Sequence, residues 1–275
     1  MRWSRQGLIR AARTAASCLA LAGAAAAFGW APSVAGAAAV LPPELQTLEQ
    51  KAQALHIASE RFTLTFAIKE PSGKQTTLTS IGTGRISPPE AQLVETVGSK
   101  RLVVRALGND LYESVPGLAR LDGGRPWVHV RESALSEQTG VNFAAAPQNL
   151  TESFSLINSA SEGVQEVGPA TVDGQSTTEF TASVDLAQLL SRFGAKLVQK
   201  LQSVGVRDAR LALYLAPSGL PVRTSITIPV EGGSITTTSD ILATEIPVSV
   251  KAPPARETIS ESEFEKLRRK HPKSL

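Results

Sequence analysis

The chain has 275 residues, a net charge of +3 and one cysteine, and 5% of it is aromatic. The positive charge belongs to the ends. Four arginines lie in residues 1–37, and seven lysines and arginines against four glutamates lie from Lys251 onward, which leaves the centre at −4. A nucleic-acid partner, which needs a basic stripe interleaved with aromatics, is excluded, and the single cysteine excludes an internal disulfide.

Arg2, Arg5, Arg10 and Arg13 precede an apolar run over 15–30. Ser33-Val34-Ala35 or Ala35-Gly36-Ala37 then offers the small-x-small pattern that signal peptidases cut after. Residues 1–37 therefore read as a secretory signal. A lipidated cysteine would follow the apolar run, whereas only residues 14–17 separate Cys18 from Arg13. The expectation is an extracytoplasmic protein, in a periplasm-like space, cell wall or secreted, without a lipid anchor. Residues 38–250 would form one domain and 251–275 a charged tail.

Residues 42–58 have helical spacing through Leu45, Leu48, Ala52 and Leu55, with Pro42-Pro43 suited to a helix start. Phe62, Leu64, Phe66 and Ile68 then alternate with polar or small residues, the period of a strand with one buried face. Pro71-Ser72-Gly73 marks a turn. Residues 76–86 are extended, with Gly82-Thr83-Gly84 read as a strand break. Residues 92–97 and 101–106 form a hairpin around Gly98-Ser99, 110–115 follow the turn pair Gly108-Asn109, and 127–131 form a short strand. Asn149 suits a helix N-cap before Leu150, Phe154 and Ile157; Asn149-Leu150-Thr151 also matches a glycosylation sequon. A hairpin over 164–172 and 176–184 turns at Asp173-Gly174. A third helix covers 185–204, and strands over 209–215, 221–230 and 234–247 close the domain.

Pro253-Pro254 ends the last strand, and the tail reads as frayed and solvated. The other reading is a helix capped by Ser260-x-x-Glu263 and running to Lys270. Phe264 and Leu267 would dock it on the domain, and Lys266, Arg268, Arg269 and Lys270 would meet anionic headgroups.

Tight turns between neighbouring strands make the sheet antiparallel. The fold class is α+β: a large curved antiparallel half-barrel sheet with helices packed on its concave face. Phe62, Leu64, Phe66, Ile68, Val103, Phe180, Leu213, Ile226 and Ile228 are expected to line an apolar space between sheet and helices; the same residues would otherwise be ordinary core. His56, His129 and His271 have no partner at metal-ligand spacing, and there is no G-x-S-x-G elbow and no P-loop. No enzyme, metal or cofactor is expected.

Several phrases recur in a fixed order. A helix runs into an alternating strand over 54–68. Asn109-Asp110-Leu111-Tyr112 precedes Trp127-Val128-His129-Val130. Val172-Asp173-Gly174-Gln175-Ser176-Thr177 leads to a strand and a helix at Asp185. Leu211-Ala212-Leu213-Tyr214-Leu215 runs to Gly219-Leu220-Pro221, and residues 248–254 close the series. In this order they resemble the actinobacterial LppX/LprA/LprF/LprG lipoprotein family, which shares the fold of LolA-type lipoprotein carriers. The resemblance implies a half-barrel over helices, an apolar cavity for acyl chains of lipids or glycolipids, carriage across the envelope and no catalysis. The headgroup would sit near 118–125 or 87–90. Family members carry a lipidated cysteine after the signal, which this chain lacks there. An envelope sensor or protein-interaction module of the same fold, with no lipid cargo, is the alternative; the basic tail would then meet a membrane surface or an envelope protein.

Overall fold

Alternating apolar residues need a covered face, and tight turns allow neighbouring strands to share one. The computed structural model describes residues 42–55, 57–97, 100–133, 161–190, 199, 208–230 and 232–272. Within them twelve strands form one sheet: β1 (Ser59–Lys69), β2 (Gln75–Arg85), β3 (Glu90–Val97), β4 (Lys100–Leu107), β5 (Asp110–Ser114), β6 (Trp127–Arg131), β7 (Ser161–Val172), β8 (Gln175–Asp185), β9 (Asp208–Leu215), β10 (Pro221–Val230), β11 (Gly233–Thr244) and β12 (Thr258–Ser260). Their order across the sheet is β12, β6, β5, β4, β3, β2, β1, β11, β10, β9, β8, β7. The sheet is open, with β12 and β7 at its two edges. Four α-helices are described: α1 (Pro43–Gln53), α2 (Leu118–Leu121), α3 (Leu186–Leu190) and α4 (Glu261–Lys270). This is the α+β half-barrel class expected from the sequence.

The expected turns are present. Asp173 and Gly174 both have positive φ, 50° and 81°, as a two-residue type I′ hairpin requires. Asp185 closes β8 and caps α3: its Oδ1 accepts from the amides of Ala187 at 2.7 Å and Gln188 at 3.1 Å. The remainder of the third helix, apart from residue 199, lies outside the described residues. So do the helix expected from Asn149 and the sequon.

Three expectations are corrected. Gly82-Thr83-Gly84 does not break β2. Phe62 lies directly across from Gly82, and its ring rests on the glycine; a Cβ there would come within 2.6 Å of Phe62 Cε2. The glycine is a seat for an aromatic ring inside a continuous strand. The sheet is not wholly antiparallel, because β12 pairs with β6 in parallel, Ile259 opposite Val128. The first helix also ends at Gln53, before the expected boundary, so that the chain can turn into β1.

Residues 252–272 are not frayed. After β11 the chain crosses the outer face of the sheet as a strap. Ser59 Oγ of β1 donates to the carbonyl of Ile246 at 2.7 Å. The Val250 amide donates to Glu90 Oε2 of β3 at 3.3 Å, and Arg105 Nη1 of β4 donates to the carbonyl of Lys251 at 3.0 Å. The chain then adds β12 at the sheet edge and turns α4 onto the opposite face. Phe264 and Leu267 of α4 pack there on buried Leu118, Val128 and Ile259. The capping box is complete: Ser260 Oγ accepts from the Glu263 amide at 3.3 Å, and Glu263 Oε2 accepts from the Ser260 amide at 2.9 Å.

Candidate functional site

Period two assigns every strand residue to one of two faces. Register links Val104 to Leu93, Leu93 to Gly82, Gly82 to Phe62 and Phe62 to Ile241. Leu64 and Phe66 share that face, as do Leu213 and Phe180 farther across the sheet. This is the buried face. Phe180, Leu213 and Leu215 are covered by Leu45, Leu48 and Ala52 of α1. Gly219 in the β9–β10 turn lets α1 come this close. It has φ 87°, and a Cβ would strike the Leu48 carbonyl oxygen and sit 2.6 Å from the Ala52 amide nitrogen.

The nine residues expected to line a space fall into three groups. Phe62, Leu64, Phe66, Phe180 and Leu213 are on the buried face and fully buried. They are core. Ile68, Ile226 and Ile228 are on the same face but only half-buried. Val103 is on the opposite face, paired with Val94 and through it with Ile81, which is 54% exposed. Three consecutive apolar residues, Leu102-Val103-Val104, hide the strand's phase in the sequence, and pairing with Leu93 selects Val104. Ile235 was missed. It stands directly between Ile68 and Ile228, so three isoleucines from β1, β11 and β10 form one half-covered row. Ile226 lies one step along β10 on the same face. The only sequence signal for Ile235 was its place in a threonine-rich strand, where Ile235, Ile241 and Leu242 are the strongly apolar residues.

Polarity divides the buried face. By register β8, β9, β10 and β11 place no charged side chain on it. Glu60, Glu95 and Glu113, on β1, β3 and β5, all point to it. Glu60 is 5% exposed and its Oε1 has no hydrogen-bond partner. Burial raises its carboxyl to about 7. Burial also raises Glu113, and the nearby charge of Glu95 adds to the effect.

In the loop at 118–125, Gly123 and Gly124 are exposed. Leu118 is wholly buried beneath α4, and Asp122 pairs with Arg125 at 2.7 Å. Residues 87–89 are exposed in the turn before β3. On the outer face Arg105 lies over the Trp127 ring, 4.6 Å from its centroid, and Tyr112 stacks on His129 at 4.8 Å. His129 Nε2 meets Asp110 Oδ1 at 2.7 Å. This group holds the strap: Gln92 Oε1 accepts from Arg105 Nε at 3.0 Å while Arg105 reaches Lys251. Among the described residues no cluster of three His, Cys, Asp or Glu is placed to hold a metal, and no helix is long and apolar enough to cross a membrane.

No family model matches the sequence, and no curated protein matches it. Solved structures do. The chain is similar to the lipoprotein LppX of Mycobacterium tuberculosis at 16% identity and TM-score 0.49, over 77% of this chain and 100% of that one. It is similar to LprF of Mycobacterium bovis at 15% identity and TM-score 0.49, over 80% and 100%. A LolA superfamily protein of Nitrosomonas europaea is similar at 12% identity and TM-score 0.30, over 77% and 96%.

Proposed function

We propose that this protein is an exported carrier that holds the acyl chains of a lipid or glycolipid against the β8–β11 half of its buried face. The observation that carries the reading is the row Ile68, Ile235, Ile228. These side chains belong to the face that forms the core, yet they are only half-covered. A folded protein gains by covering such a row, and an acyl chain does this at about 0.8 kcal/mol per buried methylene. Branched aliphatic side chains give a smooth wall that grips length and apolarity, which suits a carrier. The basic residues of α4, Lys266, Arg269 and Lys270, are exposed and can meet an anionic membrane surface at loading or delivery. The signal over 1–37 supports export. Nothing in this mechanism needs catalysis.

The test is extraction of lipid from protein purified from its own host, with subsequent titration by a fluorescent acyl probe. The expected result is co-purified lipid and saturable probe binding that I228D and I235D weaken at least tenfold without loss of fold. Protein that carries no lipid and binds no probe refutes the reading.

One observation favours the alternative, a protein-interaction module. Ile81, Val94 and Val103 form an apolar row on the outer face, with Ile81 54% exposed. If that row is the functional surface, I81K and V103K abolish partner capture and leave probe binding intact.

A further inference from the structure

Glu60 is the first inward residue of β1. Across the buried face its neighbours are Gly84 on β2 and Thr244 on β11, and Ala91 of β3 continues the row beyond Gly84. Glycine and alanine fill little of the space above the sheet, so the carboxylate stands beside a shelf of small residues. The strap does not serve it: Ser59, which bonds Ile246, points to the other face. Glu60 Oε1 remains buried and unpaired. Folded proteins retain few buried polar groups without a partner, because each costs the full desolvation of the group. A group kept in that condition inside a binding face is explained when its partner arrives with the ligand.

We propose that Glu60 is a specificity-determining residue that hydrogen-bonds a hydroxyl of a neutral amphiphile. On this face the buried carboxylates Glu60 and Glu113 lie on β1 and β5, and Glu166 of β7, opposite Phe180, is exposed. With its carboxyl lifted to about 7, Glu60 can both donate to and accept from a hydroxyl near neutral pH. Lipids that present a carboxylate or phosphate at this position meet a like charge and an unsatisfied acceptor. The selected class is therefore neutral, hydroxyl-bearing lipid.

This inference rests on the carrier reading, and the experiment separates the two. The probes are 1-monooleoylglycerol and methyl oleate, which share a chain and differ in hydroxyls. Their affinity ratio is measured for wild type, E60Q, E60L and E60A, so that differences in water solubility cancel between variants. The expected result is a ratio that falls about tenfold in E60L and E60A, the size of one hydrogen bond to an otherwise unpaired buried group. E60Q, which keeps a donor and an acceptor, retains the wild-type ratio. E60A stands in where E60L does not fold. Binding of both probes with a ratio that no Glu60 variant alters overturns the role of Glu60 alone. Failure of wild type to bind either probe overturns the carrier reading and this inference with it.

Discussion

Glu60 ties stability to pH in a direction opposite to most carboxylates. Its carboxyl titrates near 7 in the folded chain and near 4.5 when exposed. Below that lower value both states hold the proton and no difference arises. Between the two values the folded state keeps a proton that the unfolded state has released, so stability falls as pH rises, and above about 7 the loss is complete. For a group this buried the loss is on the order of 3 kcal/mol. E60Q should flatten that slope in urea titrations between pH 5 and 8, and an unchanged slope would assign it elsewhere. Gly219 makes a second residue-scale prediction. Its φ of 87° and its contact with the α1 backbone leave no room for a methyl group. G219A should cost roughly 2 kcal/mol or more through strain and displacement of α1, read as a lower denaturation midpoint.

At the scale of elements, alternation and turn chemistry were enough to place β1, the β7–β8 hairpin and β10, because each carries its own period and its own punctuation. Phase was harder. Leu102-Val103-Val104 is apolar on both parities, and only the partner strand decides which residue faces inward. The structure therefore predicts an asymmetry: V104D should destabilise by several kcal/mol, as burying an unpaired charge does, while V103D should be nearly silent in the same melts. The edge strand β12 was illegible, since Thr258-Ile259-Ser260 has no pattern of its own and exists as a strand only because β6 offers an unpaired edge. The capping box of α4 was legible as a motif but not its consequence. S260A should cost about 1 kcal/mol, and hydrogen exchange should show protection lost first along α4. The isoleucine row of the candidate site could not be read in advance because it is a property of register: Ile68, Ile235 and Ile228 come from three strands, and only their pairing aligns them.

For the whole molecule, the last residues hold the β6 edge from both sides. The strap lies on the outer face, β12 extends the sheet, and α4 covers Leu118 and Val128 on the buried face. Deleting residues 255–275 should expose those two side chains and remove Ile259, Phe264 and Leu267 from their packing. The expected loss is roughly 4 kcal/mol by area burial, with new binding of an apolar dye. A truncated protein with unchanged stability and no dye binding would show the tail to be dispensable. The same helix carries the exposed basic residues Lys266, Arg269 and Lys270, so the contact that seals this edge also fixes where those charges stand on the surface.

The pairing of β1 with β11 has a kinetic consequence. On either side of it the strands keep sequence order, β1 to β6 in one direction and β11 back to β7 in the other. Each half is a meander of local contacts that can form quickly. The junction between them closes a far longer loop, since Thr63 and Asp240, which share a hydrogen bond across it, are 177 residues apart. Loop entropy makes such a junction the slow step. Refolding should therefore show two halves with early protection and a late, shared event at β1 and β11, and T63V should slow that event more than it slows either half.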